Sequence, residues 1–277
     1  AAAPPAAPSQ AAAGAQPAAQ VPAKYVAAEK QIRLGKPEDS THGLQVLMGI
    51  SGPTLGKIML DPIAAIRLEF DTHGSDEDKS NFRRIFGGTF DGKTLEELVA
   101  HPQAKMAKLE TAHVLALRLY TSSSYAAVND PLRSDPPQRP HPFAATTYFI
   151  DQGIKMLRAV AASLPDAHTT RVYWRGMKDL SLTAEFMQKG GTEFACMSTS
   201  ASQAIAVKFA ASACPLIFKF ETKDFMSRGA DIAFLSVYPT EQEALYPPLT
   251  YLRAVEMKKE TLGGQEVVIA TVEPVFP

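Results

Sequence analysis

Apolar side chains follow a mainly helical spacing from about residue 36 and change to short alternating runs after Pro165. The first pattern predicts helices and the second predicts strands. Between 36 and 100 the helical pieces are short, as in Asp61-Pro62-Ile63-Ala64-Ala65-Ile66-Arg67-Leu68, where proline follows an Asp N-cap. Residues 104 to 120 place Met106, Leu109, His113, Leu117 and Tyr120 on one helical stripe, with His113 read as a core-edge residue. A Pro-rich connection from Asp135 to Pro142 then leads into a second amphipathic helix carrying Phe143, Thr147, Ile150, Ile154, Leu157 and Val160. Beyond Pro165, strands are expected at about 171–175, 193–199, 216–222, 232–237, 250–258 and 266–274, with helices near 181–188 and 202–212. Helices first and strands afterwards argue for an α+β fold, with the two long helices covering one side of the strands.

Composition adds boundaries to this picture. Residues 1–23 are almost entirely Ala, Pro, Gln, Gly and Ser, which cannot bury enough apolar surface to offset ordering entropy, so a disordered linker or export segment is expected there. The chain begins without methionine, as a processed protein or a piece of a longer one would. Residues 24–100 form the helical N-terminal region, and 101–277 carry the remaining helices and the strands. A formal charge of −1 provides no basic field for nucleic acid, and no apolar run reaches the length of a membrane span. Cys196 and Cys214 lack metal or redox spacing and the histidines are scattered, so no metal site is expected. There is no GxGxxG at a strand-to-helix turn, which excludes Rossmann-type binding of a dinucleotide. Gly52-Pro53-Thr54-Leu55-Gly56-Lys57-Ile58 is one residue too short for a phosphate loop and has Ile where Ser or Thr is needed. Asp71 to Asp78 does not match a calcium loop and is read as a solvated loop.

The candidate chemistry lies in the second half. Arg175 ends the apolar strand Val172-Tyr173-Trp174 and precedes Gly176, which frees the backbone to turn close to a ligand; a guanidinium there could grip phosphate bidentately, the common alternative being a solvated strand-end arginine. Trp174 should point to the opposite face, into the core. Phe194, Cys196 and Ser198 alternate onto one face, projecting Ser198 from a strand end, while Ser200 and Ser202 are read first as helix caps. Ser198 has no histidine at a recognisable spacing, which disfavours a serine nucleophile. Glu241 and Glu243 are two residues apart and share one face if the backbone is extended.

Arginine, then Ser198-Thr199-Ser200, then Glu241-Gln242-Glu243 is an ordered set that resembles the R-S-E class of mono-ADP-ribosyltransferases, in the arginine-modifying branch of cholera-toxin-like toxins, ecto-enzymes and bacterial effectors. Tyr120-Thr121 with Tyr125, Asn129, Leu132 and Arg133 resembles that family's first conserved helix and loop. Tyr173-Trp174-Arg175-Gly176 resembles its arginine strand, and Ser236-Val237-Tyr238-Pro239 with Leu245-Tyr246-Pro247-Pro248 resembles the frame of its glutamate motif. The resemblance spans residues 100–277. Residues 24–100 have no counterpart in it, and Ala210 to Pro215 is short for a loop that closes over NAD⁺.

The resemblance implies an ADP-ribosyltransferase fold, with two small packed β-sheets forming an NAD⁺-binding cleft in a catalytic domain at 101–277. NAD⁺ is then a co-substrate, and the partner a protein modified on arginine by a monomeric enzyme. A secreted effector is one location that would fit. Arg175 is expected at the phosphates, Gly176 and Thr199 along the cofactor, and Ser198 at the ribose and Glu243. Phe209 is expected either stacked on nicotinamide or inside a helix core. Cleavage of the nicotinamide–ribose bond passes through an oxocarbenium-like state, which a carboxylate at Glu243 would stabilise. Glu241 would orient the acceptor guanidinium and take its proton. Water in place of the acceptor gives an NAD⁺ glycohydrolase, and a catalytically silent binding module is the alternative from outside enzymology.

Overall fold

A computed structural model describes residues 30–277. The expectation of disorder for 1–23 lies outside the described residues. Six helices open the fold: α1 (Leu44–Met48), α2 (Gly52–Leu60), α3 (Pro62–His73), α4 (Asp76–Gly87), α5 (Leu95–Val99) and α6 (Pro102–Met106). Their starts are written in the sequence as caps. The Asp61 carboxylate accepts from Ala64 N at 3.0 Å, and Ser75 with Asp78 and Thr94 with Glu97 form capping boxes. The acidic stretch 71–78 is therefore a helix end and a helix start, and the solvated-loop reading is corrected. Gly52 to Ile58, rejected as a phosphate loop, lies within α2 behind the Ser51 cap.

The helices α7 (Thr111–Tyr120), α8 (Tyr125–Arg133) and α9 (Ala144–Ala161) follow. The stripe expected over 104–120 is broken, because Lys108 takes a φ of 53° after α6 and restarts the chain in a new direction. Met106 is consequently 54% exposed while Leu109 is buried. His113 is buried and satisfies a backbone donor at the helix start, its Nδ1 accepting from Glu110 N at 3.1 Å.

Strands β1 (Lys30–Gln31) and β3 (Leu180–Ser181) make a small parallel pair. The main sheet contains β2 (Arg171–Met177), β4 (Gly191–Glu193), β5 (Met197–Ser200), β6 (Leu216–Thr222), β7 (Ala230–Asp231), β8 (Glu243–Tyr246), β9 (Thr250–Leu262) and β10 (Gln265–Val275). Helix α10 (Ala184–Lys189) precedes β4, and α11 (Gln203–Ala210) follows β5. The strand order is β4-β9-β10-β6-β2-β5-β8-β7. Two smaller sheets were expected, and they are joined into one hydrogen-bonded surface by a single pair, Trp174 with Ser200. That thin junction lets β2 and β5 diverge.

Two strand expectations need correction. The stretch 193–199 divides into β4 and β5, because Ala195 N bonds the buried Glu193 carboxylate at 3.0 Å and turns the chain between them. Residues 232–237 are turns, in which Leu235 N and Ser236 N both bond the Ile232 carbonyl. Their apolar residues Ile232 and Leu235 enter the same core as α3, α4, α7 and α9. The helical half and the strand half thus share buried side chains, which fixes the segment leading into the two glutamates.

Candidate active site

Where β2 and β5 diverge, the backbone opens a cavity of about 390 Å³. Its lining brings together the residues expected at the catalytic and cofactor positions: Arg175, Gly176, Ser198, Thr199, Phe209, Glu241 and Glu243. Arg175 points one guanidinium nitrogen, Nη1, at the Ser198 carbonyl, 2.7 Å away, so the arginine ties the two diverging strands together. Burial, followed by the nearby Arg133 charge, disfavours its own charge and lowers its pKa.

Gly176 has a reason other than the one expected. A Cβ there would stand 1.9 Å from Ala206 O and 2.8 Å from Ala210 N, so the missing side chain lets α11 lie against β2 and close the back of the cavity. Trp174 also departs from expectation. It is half-buried against α11 and lines the cavity, because the sheet face expected to be core is here the cavity wall. Phe209 is 49% exposed at that wall, which removes the helix-core reading.

A buried polar frame holds β5 in place. Asn129 accepts from Cys196 N at 3.1 Å, and its amide donates to the Tyr120 hydroxyl at 3.1 Å. Arg133 donates from Nε and Nη2 to both oxygens of Glu193, each at 3.1 Å. Tyr120, Asn129 and Arg133 of the first motif therefore brace the strand that carries Ser198, while Tyr120, Thr121, Tyr125 and Asn129 also line the cavity. Thr199 lines the cavity, although its hydroxyl is engaged with Ala244 O at 2.7 Å. Ser200 caps no helix with its side chain; it donates to Glu241 O at 2.5 Å and accepts from Ser202 N.

The two glutamates do not share an extended face. Glu241 ends a 3₁₀ turn, Pro239–Glu241, and Gln242 adopts a φ of 49° before β8 begins at Glu243. The turn brings both carboxylates to one cavity by a different route. Glu243 is only 6% exposed and accepts from the Ser198 hydroxyl at 2.5 Å. Burial raises its pKa to about 7; the Ser198 bond opposes the shift, the Glu241 charge adds to it, and a Ser236 hydroxyl bond and Arg175 oppose it again. Glu241 is half-buried, its pKa raised by burial and held back by Lys208.

One supporting residue, Arg118, had no visible signal in the sequence. Arg118 is fully buried and donates to Leu235 O at 2.6 Å, to Phe90 O and to Asp91, anchoring the approach to the glutamates across 117 positions of chain. Tyr238 stands 56% exposed on the cavity lining. Among the described residues, no group of three or more His, Cys, Asp or Glu side chains gathers as a metal site. None of the described helices is long and apolar enough to cross a membrane.

The profile of the NAD:arginine ADP-ribosyltransferase family matches residues 92–272. No curated protein matches the chain in sequence. Among solved structures, a mutant of the eukaryotic mono-ADP-ribosyltransferase ART2.2 in complex with NAD is similar at 15% identity, with a TM-score of 0.55, over 88% of this chain and 95% of that one. A second ART2.2 mutant, in complex with NADH, is similar at 15% identity with a TM-score of 0.54 over the same shares. The ADP-ribosyltransferase HopU1 of Pseudomonas syringae pv. tomato is 18% identical with a TM-score of 0.49, over 72% of this chain and 97% of that one. The ART2.2 likeness establishes the fold.

Proposed function

Since the chain belongs to the NAD:arginine ADP-ribosyltransferase family, we propose that it transfers ADP-ribose from NAD⁺ to arginine side chains of a target protein and releases nicotinamide. The observation that carries this reading is the pairing of a buried carboxylate, Glu243 with Ser198 on it, and a reachable one, Glu241, in the cavity that Arg175 enters. The catalytic unit is assigned to residues 101–277, with the described helices before it, α1 to α5, packed on it.

Arg175 has one guanidinium nitrogen on the Ser198 carbonyl and offers the rest of its donors to the diphosphate. Phe209, half-exposed on α11, supplies an aromatic face for the nicotinamide ring. As the glycosidic bond lengthens, nicotinamide leaves as a neutral molecule and positive charge develops on the ribose. The Glu243 carboxylate, oriented by Ser198 and Ser236, lies in a dry site where its field on that charge is strong. The acceptor guanidinium is positively charged at neutral pH. Glu241 holds it at the cavity mouth, its nitrogen attacks the ribose anomeric carbon, and the proton it loses passes to Glu241.

The test uses labelled NAD⁺ with the small guanidinium compound agmatine and with protein acceptors, following labelled adduct and free ADP-ribose separately. The wild type should form adduct, and Glu241→Ala should lose adduct while still releasing ADP-ribose. Free ADP-ribose without adduct from the wild type would make the protein a glycohydrolase, and equal loss of both activities in Glu241→Ala would remove the division of roles.

A further inference from the structure

The segment from Ile232 to Glu243 is a loop closed at its base, where Ile232 N bonds the Glu243 carbonyl at 3.0 Å. The 3₁₀ turn with Glu241 lies within it and is held from two sides. On the sheet side, Ser200 donates to the Glu241 carbonyl at 2.5 Å. On the helix side, the fastenings come from the C-terminal end of α7. The Arg118 guanidinium donates to Leu235 O at 2.6 Å, and the Thr121 hydroxyl accepts from Val237 N at 3.2 Å while donating to Arg118 O at 2.9 Å. Glu243 depends less on this end, because its backbone pairs with Ser200 in the sheet and its carboxylate accepts from Ser198. Arg118 is itself gripped from the helical region. Its Nη2 donates to Phe90 O at 2.9 Å and pairs with the Asp91 carboxylate. Phe90 and Lys93 exchange backbone bonds of 3.2 Å around Asp91-Gly92, both at positive φ, in the two-residue turn that Asp-Gly favours. That turn joins α4 to α5, and α4 lies before the residues 92–272 that match the family profile. A buried guanidinium cannot exchange such partners for water, so it ties the Leu235 carbonyl to the Asp91 turn.

We infer that Arg118 is a positioning residue for the acceptor step, through which the turn at Asp91 sets the placement of Glu241, a role that rests on the arginine-transfer reading above. Arg118 is not among the residues lining the cavity and acts only through the backbone of the loop. Loosening it shifts the carboxylate that orients the acceptor and takes its proton, and a small misplacement made away from the chemistry costs up to about a hundred-fold in rate. Cleavage of the bond to ribose uses Glu243, which the sheet and Ser198 hold independently. The helices before residue 92 thereby bear on whether ADP-ribose reaches an acceptor or water.

The test compares wild type, Arg118→Lys and Asp91→Asn with labelled NAD⁺ and agmatine, reading the ratio of adduct to free ADP-ribose and the KM for NAD⁺, with a melting curve for each protein. A purely structural role lowers both products alike and leaves their ratio unchanged. Arg118→Lys keeps the charge, but one ammonium cannot reach Leu235 O, Phe90 O and Asp91 together, so the ratio should fall about tenfold with the KM for NAD⁺ held. Asp91→Asn, in which asparagine tolerates the left-handed backbone, should lower the ratio about threefold, the scale of an ion pair with one exposed member. If Arg118→Lys does not fold, Asp91→Asn decides. An unchanged or raised ratio in either folded variant overturns the inference, as does a raised KM for NAD⁺, which would place the effect on the cofactor. A wild type that hydrolyses NAD⁺ but never modifies agmatine, or that does neither, overturns the arginine reading and the inference with it. A working transferase whose folded variants partition as wild type does overturns the inference alone.

Discussion

Glu243 begins a strand whose four residues are all buried, whereas Glu241, two positions earlier, ends a 3₁₀ turn at the mouth of the same cavity. The first is held by two serine hydroxyls and has its pKa raised to about 7 by burial; the second is bonded through its backbone, and its pKa is raised by burial and held back by the Lys208 charge. Like charges this near would ordinarily disfavour each other, and they do here, since Glu241 is among the groups that raise Glu243. What separates them is access to water. A carboxylate that steadies a transient cation gains from a dry and fixed surrounding. One that must receive a side chain from another protein has to remain reachable, and a turn at a rim offers that.

The strongest way to break the comparison is to neutralise the dry member. Glu243→Gln keeps the shape and removes the charge, and release of nicotinamide should fall by about a thousand-fold or more, the scale seen when a pre-organised electrostatic group is lost. Transfer and hydrolysis should fall together, because both require the bond to ribose to break. Retention of activity within about tenfold would mean that the buried carboxylate is a structural group.

A smaller effect is expected from the cation on the dry side. Arg175→Lys should weaken NAD⁺ binding about tenfold, since a point charge cannot bond the Ser198 carbonyl and fork onto a diphosphate together. Calorimetry reads this directly. The KM for agmatine should hold, and a matched change in both constants would erase the distinction between the two ends of the cavity.

Much of this site was legible from residue order, and the reasons for the misses are physical. Arg175, Ser198 and the glutamates stand out because a motif survives whatever backbone carries it. The backbone itself did not show. Glu241 and Glu243 share a face only in extended backbone, and a left-handed Gln242 replaces that geometry. Strand β8 is four residues between a turn and two prolines, too short for alternation to register. Alternation puts Trp174 on the face opposite Arg175, which reads as core, and α11 makes that face a cavity wall. Arg118 had no signal, since its partners Phe90 and Leu235 are distant in sequence and are backbone carbonyls that any residue supplies. The helix caps, being local, were readable at Asp61.

A further consequence concerns pH and activity. In the proposed mechanism Glu243 must be ionised to stabilise a cation, so its pKa of about 7 predicts that nicotinamide release falls as pH drops below that value. Ser198→Ala removes a bond that favours the ionised form, and the acid limb of kcat/KM for hydrolysis should move to higher pH. A limb that stays in place would assign the titration to another group.

The smallest effect lies in stability, and it runs opposite to activity. The folded protein holds the Glu243 proton up to about pH 7, against an ordinary value of 4.5. A raised carboxyl pKa means that the group favours the fold fully below the unfolded value and that this contribution disappears as pH rises through the folded one. At about pH 8 folding therefore forces a charge into a dry position, at a cost on the order of 3 kcal/mol. Glu69 behaves alike, its pKa raised to about 7 by burial against the bonds from Thr146 and Ala145, but it is present in both proteins and drops out of their difference. Glu243→Gln should accordingly melt higher than wild type at about pH 8, by several degrees at roughly 2–4 °C per kcal/mol. The gap should narrow as pH falls from about 7 towards 4.5 and close below about pH 4.5, where the carboxyl becomes protonated in both states. A gap that did not depend on pH would mean that water reaches Glu243 as freely as it reaches Glu241, and the contrast between the two carboxylates would lose its physical basis.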